Sequence, residues 1–302
     1  LAALTQHETT AALLAGRFAD VRLLHSGTWS SLYAAREADT GRRVAVKVPE
    51  STDPARPQTS WTNEAIVREA AVLHAAGEHP HLVTLLDELT LRDGRRALVL
   101  ERCAGSLADL TGLSSGQHPA ASAVVSMGIK LCGALDAVHR AGYLHTDVSP
   151  ANVYLTEWGE PVLAGFDEAV PLDPQSLAAY TLHEITPQTA PELIEGGSPT
   201  HATDVYGLAV TLFELAAGQP AFPAYAGSRH SGASLRILQG NRAALPADVP
   251  IEVGDLFAWA LAVLPSARPP SIAWFAEELA RVERHQGWPR TPRSPDLPPP
   301  TG

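Results

Sequence analysis

Apolar and polar positions alternate along three short runs near the start of the chain, Val21 to Leu24, Ser31 to Ala35 and Arg43 to Val48. A period of two is the pattern of a strand with one buried face. Turn residues separate the runs at Ser26-Gly27 and at Asp39-Thr40-Gly41, so the spacing predicts an antiparallel meander. The period then lengthens. Trp61 to Ala76 predicts a helix with Ala65, Val72, Leu73 and Ala76 on its apolar face, and two more strands, Leu82 to Leu89 and Arg96 to Leu100, flank a turn at Arg92-Asp93-Gly94. Beyond Ser106 helices dominate. Ser106 to Leu110 opens one, and Pro119 to Arg140 forms a long one with Val124, Ile129, Leu131, Leu135 and Val138 turned inward, stopped by Ala141-Gly142. A strand, turn and strand follow Asn152, and a very apolar helix opens at Asp204. Residues 1–16 predict a short helix without evident chemistry.

Length and composition narrow the class. A chain of 302 residues with 45% apolar content can bury a large core, as one two-lobed domain or two smaller ones. A formal charge of −11 argues against nucleic acid or an anionic membrane as a non-specific partner. The two cysteines, Cys103 and Cys132, lie far apart without companion ligands, so neither a disulfide framework nor a zinc site is expected and a reducing cytoplasm is the expected compartment. No membrane span is expected; Val205 to Ala217 is apolar but short and carries Glu214. The chain starts at Leu1 and ends in a Pro-rich tail through Pro298-Pro299-Pro300, read as an extended linker, and it is expected to be part of a longer multidomain protein.

The candidate chemistry sits between His145 and Asp167. Asp147 precedes Asn152 by five residues on a loop that enters a strand. An Asp there can accept or orient a hydroxyl proton, and an Asn carbonyl can hold a divalent cation, which suits phosphoryl transfer. Lys47 stands among alternating apolar residues in Val44-Ala45-Val46-Lys47-Val48, and Glu64 and Glu69 on the next helix are both candidates to pair with it. His79 and His81 are expected to cap a loop rather than to bind a ligand.

These residues resemble the protein kinase family. His145-Thr146-Asp147 followed by Asn152 is similar to the catalytic loop, Lys47 to the strand lysine that contacts the α- and β-phosphates, and Arg68-Glu69 to the regulatory helix, which selects Glu69 as its partner. Gly27 is the one glycine present where the family carries a glycine-rich loop, with His25 and Ser30 at the outer positions. Glu101-Arg102-Cys103 would form the hinge, whose backbone receives an adenine edge. Ala190-Pro191-Glu192 matches the motif that closes the activation segment, and Pro265-Ser266-Ala267-Arg268 resembles the segment whose Arg pairs with that Glu. The resemblance implies that Glu192 and Arg268 form a largely buried pair, that Asp204 holds the catalytic-loop backbone, and that His145 is structural.

The implied fold is α+β and bilobal, with an extension over 1–16, a β-rich lobe over 17–102, a mainly helical lobe over 103–285 and a tail over 286–302. ATP with Mg²⁺ or Mn²⁺ would be the cofactor, and a protein or peptide the substrate or signalling partner. Three departures matter. Thr146 replaces the usual Arg, Ser149 the usual Lys, and Gly165 the metal-binding Asp of Asp-Phe-Gly. Asp167 replaces that carboxylate only if the preceding strand is shifted or bulged; otherwise it is a loop acid or a helix cap. Thr181, Thr186 and Thr189 are candidate phosphosites, but without Arg at 146 activation by loop phosphorylation is disfavoured. Three functions fit: an atypical Ser/Thr protein kinase; a catalytically impaired pseudokinase that binds a nucleotide or a partner; and the kinase-like domain of a lanthipeptide synthetase, whose catalytic loops carry a similar Ser-Pro-x-Asn.

Overall fold

A computed structural model describes residues 6–27, 30–50, 59–111, 118–223 and 231–293. Helix α1 (Gln6–Leu14) leads into strands β1 (Phe18–Ser26), β2 (Ser30–Glu37) and β3 (Arg43–Pro49), the predicted meander. Helix α2 (Thr59–Ala76) crosses to β4 (Leu85–Thr90) and β5 (Arg96–Glu101), and the five strands form one antiparallel sheet in the order β1-β2-β3-β5-β4. Val44, Val46, Val48 and Val99 turn one face of it into a small core with Phe18 and Tyr33.

Three expectations for this lobe are corrected. The inward face of α2 carries Ile66, Ala70, Val72 and Leu73, while Ala65 is only half-buried, because the helix is phased by burial of Glu69 beside them. The strand begins at Leu85 rather than Leu82. Residues 81–83 leave the sheet and hydrogen-bond to Leu163 in the other lobe, Val83 N to Leu163 O at 2.9 Å and Leu163 N to His81 O at 2.8 Å. Residues before Phe18 are not a bare extension: Thr10 and Leu14 are 1% exposed, and the buried Arg95 donates to Thr10 Oγ1 at 3.0 Å and to Pro49 O at 3.0 Å. Neither end of that network has a periodic signal.

The second lobe starts with β6 (Gly105–Ser106) and α3 (Leu107–Thr111), capped reciprocally by Ser106 and Asp109. Helix α4 (Ala121–Arg140) delivers the chain to β7 (Tyr143–Leu144), and β8 (Val153–Leu155) pairs with β9 (Pro161–Leu163). Next come β10 (Val170–Pro171), α5 (Pro174–Ala179), α6 (Pro191–Ile194), α7 (His201–Ala217), α8 (Ser231–Gln239), α9 (Ile251–Ala260) and α10 (Ile272–His285). By length and composition α4 qualifies as a membrane span, against the expectation that no stretch would. It is the core helix of this lobe, 67% of its apolar window buried, packed on α7 and α10. Its Gly128 lets those neighbours come close: an added Cβ would meet Leu279 Cδ1 at 3.0 Å.

Past α10 the chain does not leave at once. Glu283, 3% exposed, accepts from Thr291 N at 3.0 Å, and Arg293 pairs with Glu277 at 2.7 Å. The first residues of the Pro-rich tail are thereby tied back onto α10; Pro298-Pro299-Pro300 lie outside the described residues.

Candidate active site

The cleft between the lobes gathers the predicted residues from five elements. Lys47, in the middle of β3, points across the cleft because its strand neighbours Val46 and Val48 occupy the opposite, buried face. Its Nζ lies 2.6 Å from Glu69 Oε2, so the structure selects Glu69 and leaves the exposed Glu64 aside. A second carboxylate reaches the same ammonium, Asp167 Oδ1 at 3.3 Å. Burial opposes the Lys47 charge, but Asp167 and Glu69 outweigh it and hold the pKa above the ordinary lysine value. Burial would likewise raise Asp167, yet Lys47 brings its carboxyl below the usual range.

Asp167 arrives by a route that the sequence did not suggest. The β8–β9 hairpin pairs in unbroken register, Val153 with Leu163 and Tyr154 with Val162, so no shift or bulge carries it there. Asp167 thus reaches Lys47 with the hairpin in register, without the shift or bulge expected to be needed. Gly165 adopts φ +76°, a left-handed conformation, and starts a single 3₁₀ turn over Phe166–Glu168. That turn buries Phe166 against the His145 ring, centroids 4.7 Å apart, and swings the Asp167 side chain back to Lys47. Arg68, the residue before Glu69, donates to Asp167 O at 2.6 Å, and Thr146 Oγ1 donates to Glu168 O at 2.9 Å.

Asp147 and Asn152 face the same space. Asn152 Nδ2 donates to Asp147 Oδ2 at 2.6 Å and to Asp147 O at 2.9 Å, which turns its Oδ1 toward Gly165. Burial, with the charges of Glu168 and Asp167, pushes the Asp147 carboxyl up to about 8. A carboxyl tuned this far is suited to proton exchange near neutral pH.

The loop that holds Asp147 is set from below. Asp204, 1% exposed at the start of α7, accepts from His145 N at 2.9 Å, Thr146 N at 2.8 Å and His139 Nε2 at 2.7 Å. Thr146 sits at φ +66°, costly for a β-branched residue by about 1–3 kcal/mol, and those bonds are what retain it there. Gly207 is needed one turn on, where an added Cβ would meet Val148 O at 3.0 Å. Farther out, Arg268 grips Glu192 with both nitrogens, at 2.9 Å and 2.7 Å, its own side chain wholly buried.

The cleft measures about 190 Å³ and is lined at one end by Leu100, Glu101 and Cys103 and at the other by Lys47, Asn152 and Asp167, with Gly27 also on its wall. Thr28 and Trp29 of the same turn lie outside the described residues. Tyr154 forms part of the floor, a residue that sequence reading placed in a strand and gave no role. Strand alternation next to Asn152 was the signal available for it.

Comparison with known proteins agrees with this geometry. The family described as "Protein kinase domain" matches residues 18–280. The chain belongs to that family. The serine/threonine-protein kinase PknK of Mycobacterium tuberculosis is 36% identical over 283 residues, covering 92% of this chain and 24% of PknK. PknA of the same organism is 30% identical over 296 residues, covering 95% of this chain and 65% of PknA. PkaB of Streptomyces coelicolor is 33% identical over 201 residues, 63% of this chain and 46% of PkaB. The chain thus spans about a quarter of the length of PknK. The protein kinase domain fold is the bilobal α+β architecture described above.

Proposed function

We propose that this protein kinase domain binds ATP with Mg²⁺ or Mn²⁺ in the cleft and transfers the γ-phosphate to a Ser or Thr hydroxyl of a protein. The observation that carries the reading is the Asp167 carboxylate at 3.3 Å from Lys47 Nζ, on a chain whose Gly165 lacks one. Hard oxygen donors suit a small divalent cation. Asn152 Oδ1, turned toward the space beside Gly165, and Asp167 are the two that would hold it, and the ion would supply positive charge to the phosphates as the γ-phosphate leaves.

The chain's own groups take the remaining roles. Lys47, kept charged by its two carboxylates, would bind the α- and β-phosphates, and Glu69 would fix its rotamer. Asp147 would orient the acceptor hydroxyl and take its proton. The backbone at Glu101 and Cys103 would receive the base. Activation through loop phosphorylation is not part of this reading, because Thr146 already ties the segment through Glu168 O.

A second reading, a nucleotide- or partner-binding scaffold without transfer, is favoured by Gly165 itself and by Ser149 in place of a Lys. Two measurements separate them: thermal stability with ATP alone and with ATP plus Mg²⁺ or Mn²⁺, and transfer of labelled phosphate to a Ser/Thr peptide library. Each is made on the wild type, Lys47→Ala and Asp167→Asn. A metal-dependent rise of several degrees, lost in Asp167→Asn, and transfer, lowered there by about 10²–10³, are expected. ATP binding that ignores the metal, with no transfer, would leave the scaffold.

A further inference from the structure

Beyond the hinge end of the cleft lies a second concavity of about 530 Å³ in which arginines converge. Arg22 comes from β1, Arg36 from β2, Arg43 from β3 and Arg102 from the hinge, and the acids present are Asp20 and Glu157. Four guanidiniums therefore face two carboxylates, on a protein whose net charge is −11.

This placement is costly. Arg36 stands directly opposite Arg43 in the β2–β3 register, and like charges at paired strand positions destabilise a sheet. Burial, with Arg22 and Arg43 nearby, lowers the pKa of Arg102. Asp20 takes φ +54° where the β1–β2 register shifts between Ala19 and Arg22, a strained conformation for a residue with a Cβ. Its carboxylate stays 3.5 Å from Arg36 Nε, and Arg43 pairs with Glu157 across the lobes. Arg22 has no carboxylate partner among the described residues. Such a cluster is stabilised by a multivalent anion, and planar guanidinium forks match phosphate oxygens two at a time.

We infer that the concavity lined by Arg22, Arg36, Arg43 and Arg102 is a binding site for a phosphate dianion, separate from the catalytic cleft. The group is that of a phosphorylated Ser or Thr of a polypeptide or a free phosphate, and it reaches from β1–β2 to the hinge. This site does not depend on phosphoryl transfer by the domain.

The test is binding, without ATP, of a fluorescent Gly/Ala peptide bearing one phosphoserine and of its unphosphorylated twin. Proteins are the wild type, Arg22→Ser, the double variant Arg22→Ser with Arg36→Ser, and the control Arg92→Ser, an exposed arginine outside the cluster. The phosphorylated peptide is expected to bind at least tenfold tighter than its twin. The double variant is expected to lose at least tenfold and Arg22→Ser an intermediate amount, with the control unchanged and affinity falling as salt rises. Competition by inorganic phosphate distinguishes the sources: displacement at equal concentration assigns the site to free phosphate, and a tenfold excess requirement assigns it to a phosphorylated chain. Equal binding of the two peptides, or undiminished binding by the folded double variant, overturns the inference.

Discussion

A β-carbon placed on Gly165 would lie 2.5 Å from Cγ of Asn152, and closer still to its Oδ1. A side chain at position 165 would therefore displace Asn152 or the backbone in this conformation. The amide of Asn152, held by its two bonds to Asp147, stands against the glycine, and the backbone there is left-handed. The carboxylate that reaches Lys47 from this segment stands two residues on, at Asp167, with the buried aromatic Phe166 between.

Restoring the usual motif should consequently fail. Gly165→Asp is expected to destabilise the domain by about 2–4 kcal/mol, from left-handed strain and overlap with Asn152, and to leave metal-dependent ATP binding no better. Thermal denaturation with and without ATP and Mg²⁺ checks both parts; a variant that is stable and binds more tightly would remove Asp167 from the site.

Asp167→Asn retains the shape of the turn and removes the charge. Loss of one preorganised charged group typically lowers rate by about 10²–10³. The same change leaves Lys47 with Glu69 as its remaining carboxylate partner, so phosphate transfer should fall by that factor while binding of ATP without metal changes far less. Steady-state rates and metal-free ATP titration separate these effects.

Stability should depend on pH through Asp147. Its folded pKa, about 8, lies above the ordinary 3.8. Below 3.8 both states are protonated and there is no penalty. As pH rises from there toward 8 the unfolded chain releases the proton and the folded one retains it, so stability falls across that window. Asp147→Asn removes the term. It should raise the stability of the nucleotide-free domain by about 1–3 kcal/mol at pH 8 and by little at pH 4, measured by denaturant unfolding at both values.

Arg268→Ala leaves the Glu192 carboxylate facing a buried gap and should cost about 3–5 kcal/mol. Arg268→Lys should cost most of the same amount, because one ammonium cannot replace two bonds to Glu192 and those to Ala262 O, Ala202 O and Val263 O. Chemical denaturation of both variants is the check.

Arg95→Met tests the contribution of α1. It breaks the bonds to Thr10 and Pro49 and leaves them buried, an expected loss of about 2–3 kcal/mol. A chain starting at Phe18 should be destabilised at least as much.

Short-range pattern carried most of the architecture. Alternation marked β2, β3 and β5, and a Gly after an apolar periodic run marked the end of α4, because strand and helix periods are properties of neighbouring residues. Spacing within one segment likewise brought Asp147 and Asn152 forward, since five residues of a tight loop leave the pair little freedom. What only the packed structure decided depends on contacts between distant segments or on the sign of a backbone angle. The left-handed turn at Gly165 packs against the Asn152 side chain thirteen positions earlier in the chain, and with the Arg68 and Thr146 bonds it brings Asp167 into the cleft. Residues 81–83 leave the sheet where Leu163 pairs with the backbone of His81 and Val83, and α1 joins the core through Arg95. The arginine cluster brings together four residues that no period connects, because pairing of β1, β2, β3 and β5 in one sheet sets three strands beside the hinge.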